Sequence, residues 1–245
     1  MGVMTGAAYR DALRDGRELY VNGQRVGDVT AYAPYRGVID ELAAHYDRCH
    51  DAALAPVLTF PSPADGAPVS NSFLPVQTWA DMEARLRGER ARVEHTFGLM
   101  GRLPDFMNAF MTDIAAVAPG LGRFADNAQR LYAQCRDRDW CLTHTLADPQ
   151  VDRSRGVEAQ GAVRIERETD AGIVVSGARM LSTLAPVSHQ LLVGAFMPRG
   201  PGEEAYAVAF LTPLATPGLK IICREPYDTG RSRFDRPLSS RFDEG

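Results

Sequence analysis

The hydrophobic pattern changes its period near residue 139, and this change constrains the fold more than any other feature of the sequence. Before that point, apolar residues recur every three to four positions, as on one face of a helix. After it, they alternate with polar residues or form short β-branched runs, as in strands. Helices followed by strands predict the α+β class. We expect an N-terminal α-helical domain at residues 1–138 and an antiparallel β-sheet or small-barrel domain at residues 139–245.

The start of the sequence predicts a hairpin followed by a helix. The Asn-Gly dipeptide at residues 22–23 lies between short apolar segments and favours a tight turn, because both central positions need positive φ. Val38, Leu42 and Tyr46 then recur at helical spacing, which predicts a helix within residues 35–51.

A second helix is predicted to begin at Thr78, which can cap it while Asp81 completes a capping box. Its apolar residues lie roughly on one side, and Arg and Glu residues solvate the other. Those apolar residues are Trp79, Met82, Leu86, Val93 and Phe97. Two further helices are expected, one bearing Phe106, Phe110 and Ile114 and one at residues 124–136.

The second half predicts several short strands. Val163 and Ile165 alternate with charged residues, and residues 170–172 form a turn. Gly and Pro punctuation then separates further apolar or β-branched runs, a pattern typical of an antiparallel sheet or small barrel. The runs are residues 172–181, 190–197, 205–211 and 219–223.

Composition excludes several classes of protein. The 245 residues carry a net charge of −4, and no run of Lys and Arg supplies the basic patch that nucleic-acid binding needs. No apolar run approaches the roughly 20 residues that span a bilayer, and a secretory signal pattern is absent. The four cysteines are irregularly spaced, which argues against a disulfide scaffold. We expect a cytoplasmic protein without nucleic-acid or membrane partners.

Generic motifs identify no reaction class. Residues 120–125 (GLGRFA) match a dinucleotide-loop pattern, but a helical segment ending in Pro119 precedes them, which favours a helix–helix turn. His45 and His50 are five residues apart and are interpreted as solvated surface histidines. The metal-binding motifs H-E-x-x-H and C-x-x-C do not occur, so no metal site is expected. The hydrolase motif G-x-S-x-G does not occur either, so nucleophilic hydrolysis has no support.

Five ordered segments resemble a known family. They are residues 15–26 (DGRELYVNGQRV), 100–106 (MGRLPDF), 143–153 (THTLADPQVDR), 168–179 (ETDAGIVVSGAR) and 237–244 (PLSSRFDE). Over almost its whole length, the sequence resembles the 4-hydroxyphenylacetate 3-monooxygenase family.

The resemblance implies an acyl-CoA-dehydrogenase-like architecture, in which a helical domain and a middle β-domain precede a C-terminal helical bundle. The first two parts agree with the helices and strands predicted from periodicity. Because the sequence stops at Gly245 inside a matching segment, we expect the C-terminal helical bundle to be missing from a truncated chain. Family members commonly form tetramers or dimers, so a homo-oligomer is a further expectation.

The resemblance also implies a reaction. Family members take reduced FAD (FADH2) from a separate NAD(P)H:flavin reductase and add molecular oxygen to form a C4a-hydroperoxyflavin. The terminal oxygen is then transferred to a phenol ring carbon ortho to the hydroxyl. The pKa of a phenol is about 10. A hydrogen-bond acceptor at its hydroxyl and a nearby cation would therefore favour phenolate character in the transition state.

Site residues follow from the matching positions. Arg102 and His144 correspond to the residues that hold the phenol oxygen, and they are the catalytic candidates. The substrate-binding candidates are Arg102, Leu103, Pro104, Asp105, Phe106 and His144. The cofactor-binding candidates are His144, Thr145, Leu146, Gln150, Val151, Asp152, Arg153 and Thr183.

Phe106 departs from the family pattern, in which the hydroxyphenylacetate enzymes carry tyrosine at this position. Phenylalanine keeps the aromatic wall and loses a hydrogen bond to the substrate oxygen, and sites discriminate strongly through such bonds. The hypothesis is that the substrate is a chlorinated or nitrated phenol, which ionises more easily and needs less help.

Simpler interpretations of the same residues stay open. Arg102 could be an ordinary helix-break arginine and His144 a satisfied strand histidine. Thr183 could be an edge-strand threonine, and Asp152 with Arg153 a loop ion pair.

Two other functions remain as alternatives. The chain could be a catalytically incomplete fragment that at most binds flavin or a partner. A 4-hydroxybutyryl-CoA dehydratase-like enzyme would need an iron–sulfur cluster, and the spacing of Cys135 and Cys141 does not favour one.

Overall fold

The computed structural model describes residues 2–99, 105–152, 154, 156–228 and 232–243. Its helices are α1 (Gly6–Ala12), α2 (Arg36–Arg48), α3 (Ala55–Leu58), α4 (Trp79–Thr96), α5 (Asp105–Val117), α6 (Ala125–Arg138) and α7 (Ser239–Phe242). Its strands are β1 (Glu18–Val21), β2 (Gln24–Val26), β3 (Thr59–Pro61), β4 (Pro68–Ser70), β5 (Leu142–Thr145), β6 (Arg164–Thr169), β7 (Gly172–Ser176), β8 (Gln190–Val193), β9 (Phe210–Pro213) and β10 (Lys220–Cys223).

Local sequence signals determine several of these elements. Asn22 and Gly23 both have positive φ, 50° and 76°, and they turn β1 into β2 as the dipeptide predicts. At the start of α4, the Thr78 hydroxyl accepts from the Asp81 N–H at 3.2 Å. The Asp81 carboxylate accepts in return from the Thr78 N–H at 2.8 Å. The hairpin and the capping box are therefore confirmed.

The prediction of a helix–helix turn at residues 120–125 is also confirmed. Residues Ala118–Phe124 form a 3-10 segment between α5 and α6, and Gly122 within it has φ 53°. A dinucleotide loop requires a strand before it, whereas here the preceding element is the helix α5.

The sheets are small and mixed, which corrects the expectation of a purely antiparallel sheet or barrel. β5 pairs parallel with β8, and β8 pairs antiparallel with β9. β1 pairs antiparallel with β2 and parallel with β10. β6 and β7 form a separate hairpin. The described residues contain no closed barrel. Alternation of apolar residues reports which face of a strand is buried, but not its partner or direction, and this is why the prediction was wrong.

One hydrophobic cluster draws on both halves of the sequence. Leu19 and Leu42 belong to it, and so do Val187, Leu191 and Ile221. The pairing of β1 with β10 likewise joins the beginning of the chain to residues 220–223. The large shared core therefore includes residues from both sides of the predicted domain boundary between residues 138 and 139. That boundary remains a prediction.

Helix α4 packs through a different side from the one its apolar residues suggest. Trp79 is 84% exposed, Leu86 60% and Phe97 64%. The buried residues of α4 are Gly88, Arg92 and Thr96. A Cβ at Gly88 would lie 2.2 Å from Nδ2 of Asn71, so glycine allows this close approach. The close contact selects the small and polar side of α4 for packing and leaves much of its apolar side in solvent.

None of the helices in the described part of the chain combines the length and the apolar character needed to cross a bilayer.

Candidate active site

The candidate site lies where the edge strand β5 meets the first turn of α5. β5 carries Thr143 and Thr145 with buried side chains and His144, between them, half-buried on the opposite face. The ring of Phe106, in α5, lies against the ring of His144, with centroids 5.6 Å apart and planes inclined at 49°. The fold therefore brings together a predicted substrate residue and a predicted catalytic residue.

Burial tunes the chemistry of His144. Loss of solvent around the ring lowers the pKa of His144 below its usual value of 6.5, because the charged imidazolium is poorly hydrated there. The imidazole is accordingly neutral at neutral pH. A neutral imidazole has one nitrogen that accepts a hydrogen bond, as a base for a phenol hydroxyl requires.

The threonines of β5 connect the strand to the predicted cofactor residue Thr183. Thr145 Oγ1 donates to the Met180 carbonyl at 3.0 Å. Thr143 Oγ1 donates to the Thr183 carbonyl and lies 3.3 Å from Ser182 Oγ. Thr183 itself is exposed and sits in a turn, so its interpretation as an edge-strand threonine is wrong. Its position is set by these contacts rather than by strand pairing.

The backbone on each side of Thr183 is unusual. Leu181 has φ 61° and Leu184 has φ 66°, in the left-handed region that side chains with a Cβ rarely adopt. Each such residue costs about 1–2 kcal/mol, and residues of this kind cluster at functional sites. Leu181 is also 79% exposed. The segment thus presents an apolar side chain and the Thr183 side chain to solvent.

The other predicted cofactor residues follow β5 directly. The Leu146 carbonyl accepts from the Phe196 N–H at 3.0 Å. Gln150 and Val151 are exposed. The Asp152 carboxylate accepts from the N–H and hydroxyl of Ser154, and the bond from the Ser154 hydroxyl is the main reason that the pKa of Asp152 is lowered.

Four predicted site residues lie outside the described residues, namely Arg102, Leu103, Pro104 and Arg153. For this reason, the loop ion pair between Asp152 and Arg153 stays a prediction.

Asp105 is described, and its side chain is buried against α4. Burial and the neighbouring Glu89 carboxylate raise the pKa of Asp105 to about 7. Phe106 is the next residue in α5, and its ring faces β5 instead.

A buried ion cluster near the site escaped prediction. The Asp148 carboxylate binds Arg179 and, at 2.6 Å, Arg199. The side chains of both arginines are almost fully buried, at 2% and 9% exposed. Asp148 and Arg179 each fall in a segment of the family resemblance, but nothing in their spacing marks them as partners. The cluster ties the loop after β5 to the segments that follow β7 and β8.

Metal ligation has no support among the described residues, since no three His, Cys, Asp or Glu side chains are grouped to hold an ion. The interpretation of His45 as a surface histidine is wrong, because its side chain is buried on the inner side of α2. His50 is exposed, as predicted, and its Nε2 lies 3.0 Å from the Met4 carbonyl.

Comparison with known proteins shows the class that this fold represents. A crystal structure of the oxygenase component of 4-hydroxyphenylacetate 3-monooxygenase, complexed with FAD and 4-hydroxyphenylacetate, superposes with a TM-score of 0.91 at 38% identity. It covers 98% of this chain and 51% of that chain. The fold is thus that of the oxygenase components of flavin-dependent monooxygenases, which have an acyl-CoA-dehydrogenase-like architecture.

The family follows from the sequence match. Residues 5–245 match the family model for the N terminus of 4-hydroxyphenylacetate 3-hydroxylase, and the chain belongs to this family. The 4-hydroxyphenylacetate 3-monooxygenase oxygenase component of Thermus thermophilus is 38% identical over 98% of this chain and 50% of its own length. The oxygenase component of 4-nitrophenol 2-monooxygenase from a Rhodococcus species is 34% identical over 98% of this chain and 47% of its own length. The chain spans about half the length of the curated relatives it matches.

Proposed function

We propose that the chain forms the phenol- and flavin-binding region of a monooxygenase that hydroxylates a phenolic substrate ortho to its hydroxyl. The enzyme would use molecular oxygen and FADH2 delivered by a separate NAD(P)H:flavin reductase. The contact between Phe106 and His144 carries the proposal, because it joins the predicted substrate segment to the predicted flavin segment. The relatives support it, since their names identify them as oxygenase components of monooxygenases for phenols.

The residues beside β5 fit a flavin. Leu181 and Met180 offer exposed apolar surface, and the exposed Thr183 side chain adds a polar group. A flat, largely apolar ring system with polar edges needs this combination of surface and polar groups. In this proposal, residues 144–146, residues 150–153 and Thr183 hold the cofactor. When bound, reduced FAD supplies the electrons that activate oxygen for transfer to the ring.

The chain's own residues would position the phenol and increase its electron density. His144, neutral at neutral pH, accepts a hydrogen bond from the phenol hydroxyl and draws off its proton as the ring is attacked. The Phe106 ring forms one wall beside it. Arg102, placed by the family resemblance, would supply the cation that stabilises developing phenolate charge.

The substrate class follows from Phe106. A phenylalanine offers no hydroxyl to the substrate oxygen, so His144 and Arg102 alone would have to stabilise the phenolate. A phenol bearing a nitro group or chlorine ionises more readily and makes a smaller demand on the site. We therefore include nitrated and chlorinated phenols in the proposal, in agreement with the name of the Rhodococcus relative.

An anaerobic titration of the chain with FADH2, followed by flavin fluorescence, tests cofactor binding. Saturable binding at micromolar concentration is expected, and His144→Gln should weaken it. His50→Gln is the matched control, because His50 is exposed and contacts Met4 rather than the site. Addition of oxygen and 4-nitrophenol to the loaded chain should then give the ortho-hydroxylated product by chromatography. The absence of saturable binding would count against the proposal.

A further inference from the structure

A buried polar layer lies between α4, α5 and residues 70–72, at the end of β4 and just after it. The side chain of Arg92 is 2% exposed, and its Nη2 donates to Asn71 Oδ1 at 2.7 Å and to Ser70 Oγ at 3.1 Å. From α5, Asn108 Nδ2 donates to Ser72 Oγ at 2.9 Å. Buried polar groups of this kind hold elements in one arrangement, because a buried group that loses its partner is left without a hydrogen bond.

Two carboxyl groups meet a single guanidinium in this layer. Glu89 Oε1 lies 3.6 Å from Arg92 Nη1. The buried carboxyl of Asp105 faces the Glu89 carboxyl and Arg92 from the first residue of α5. Residues 70–72, at the end of β4 and just after it, contribute only Ser and Asn side chains here. With both carboxyls ionised, these three side chains would carry two negative charges and one positive charge. Arg92 also acts electrostatically on the buried side chains of Asp139 and His45.

One proton shared by the two carboxyls would remove this imbalance. Like charges in contact disfavour double ionisation, and a protonated carboxyl can donate a hydrogen bond to its neighbour. Desolvation, which is the larger effect, acts in the same direction: burial and Glu89 raise the pKa of Asp105 to about 7. Among the described residues, Asp105 Oδ1 and Glu89 Oε2 are buried oxygens without another hydrogen-bond partner, so both are available for that shared proton.

We propose that Asp105, held against Glu89 and Arg92, is a positioning residue that fixes the first turn of α5 and with it the contact between Phe106 and His144. The connection is direct, because Phe106 follows Asp105 in the first turn of α5. The Phe106 ring then reaches His144 at 5.6 Å between ring centroids. This role rests on the proposed function, since it matters for catalysis only if Phe106 and His144 line the substrate site.

The contact between Phe106 and His144 should therefore depend on pH. Below the pKa of Asp105, the shared proton keeps the carboxyl pair together and α5 docked on α4. As the pH rises through about 7, Asp105 loses its proton and its carboxylate repels the neighbouring Glu89 carboxylate. The first turn of α5 should then shift, and the Phe106 ring should leave His144.

The experiment follows the His144 ring by NMR in the full chain, without flavin or substrate. Histidines labelled at Cε1 give five signals, one for each histidine. The His144 signal is assigned by its loss in His144→Gln. The difference between the native chain and Phe106→Leu measures the ring-current shift that Phe106 imposes. The readout is independent of activity, so its failure is distinguishable from failure of the proposed function.

In the native chain, the Phe106-dependent shift should be present at about pH 6 and lost over an inflection near pH 7. Titration of His144 itself falls at lower pH, because burial lowers the pKa of His144 below 6.5. Asp105→Asn keeps the shape and the hydrogen bond of the protonated acid, and it should keep the shift at both pH values. Asp113→Asn, an exposed change on the same helix, should behave as the native chain does.

Two results would overturn the proposal. In the first, the native shift is constant across the inflection range, which would mean that the carboxyl pair does not control the contact. In the second, Asp105→Asn unfolds cooperatively as the native chain does but lacks the shift at every pH. The ionisable form of Asp105 would then be needed for the contact, contrary to a shared proton.

Discussion

Replacing Gly37 with alanine should detach the segment α7 from α2. Gly37 is the second residue of α2, and a Cβ placed there would lie 1.9 Å from the Ser240 carbonyl oxygen and 2.8 Å from its carbon. Both atoms belong to the backbone, so no side-chain rotation relieves the overlap. Helix propensity alone predicts the opposite sign, because alanine in a helix is favoured over glycine by about 1 kcal/mol.

The magnitude follows from the contacts that α7 would lose. Arg241 binds the buried Glu41 carboxylate with two bonds of 2.6 Å, and Phe242 is 3% exposed. Breaking a buried ion pair costs about 3–5 kcal/mol, and exposing a phenylalanine costs about 2 kcal/mol. Arg233 and His95 lie 3.5 and 3.7 Å from Glu41 and would partly compensate its charge. After the gain in helix propensity, we expect a net loss of about 2–4 kcal/mol.

For a chain of this size, 1 kcal/mol shifts the Tm by roughly 2–4 °C, so the Tm should fall by about 5–15 °C. Circular dichroism during heating measures this shift. Limited trypsin digestion should also cut faster at Arg233 and Arg241. Gly27→Ala is the matched control, because no atom lies within 4 Å of its Cβ.

The refuting result is a Gly37→Ala chain that melts at or above the native temperature, since helix propensity would then outweigh the contact with α7. The double variant with Arg241→Met adds a second check. If the loss passes through α7, Gly37→Ala should destabilise the Arg241→Met chain much less than it destabilises the native chain.

Three further predictions concern the candidate site and the cysteines. Phe106→Tyr should raise kcat/KM for 4-hydroxyphenylacetate relative to 4-nitrophenol by up to about 10-fold, which corresponds to one net hydrogen bond. If the ratio of the two product yields, measured by chromatography, is unchanged, the hypothesis that Phe106 sets the substrate preference is refuted. The hydroxylation rate should fall as the pH drops through the pKa of His144, which lies below 6.5, because the imidazole gains a proton and stops accepting. His144→Gln should remove this acid limb and lower the rate by roughly 10²–10³-fold, and a limb that persists would assign it to another group. Burial raises the pKa of the Cys49, Cys135 and Cys141 thiols to about 12. A thiol reagent at neutral pH should therefore modify the half-buried Cys223 first and the three buried thiols only after denaturation. Fast reaction of all four thiols in the native chain would contradict the packing.

Local structures that depend on residues close together in the chain could be predicted from the sequence. The turn at residues 22–23 and the capping box between Thr78 and Asp81 each involve residues within a span of four. Such signals carry their own physical cause, since positive φ favours Asn and Gly, and a free helix N–H needs an acceptor. Pairings between distant strands have no local cause, and the parallel contact of β5 with β8 was accordingly missed.

Helix α4 shows why an apolar pattern predicts a helix better than its packing. The apolar residues lie on one side, but the buried contact forms around Gly88, where Asn71 approaches closer than any side chain would allow. Arg92 then becomes buried, because the same contact surrounds it with Ser70 and Asn71. In the sequence, a glycine flanked by charged residues favours an exposed helix face, so no local signal identified this interface.

The candidate site depends on the geometry of one helix turn. The family resemblance places Asp105 and Phe106 in the same substrate segment, yet adjacent residues on an α-helix point about 100° apart. In α5 this rotation turns Asp105 towards Glu89 and Arg92 and Phe106 towards His144. Two neighbouring residues therefore have different partners, one in the helix layer and one at the edge of the sheet. A change at Asp105 can consequently reach His144 through the backbone of a single residue, and this link cannot be found from motif spacing.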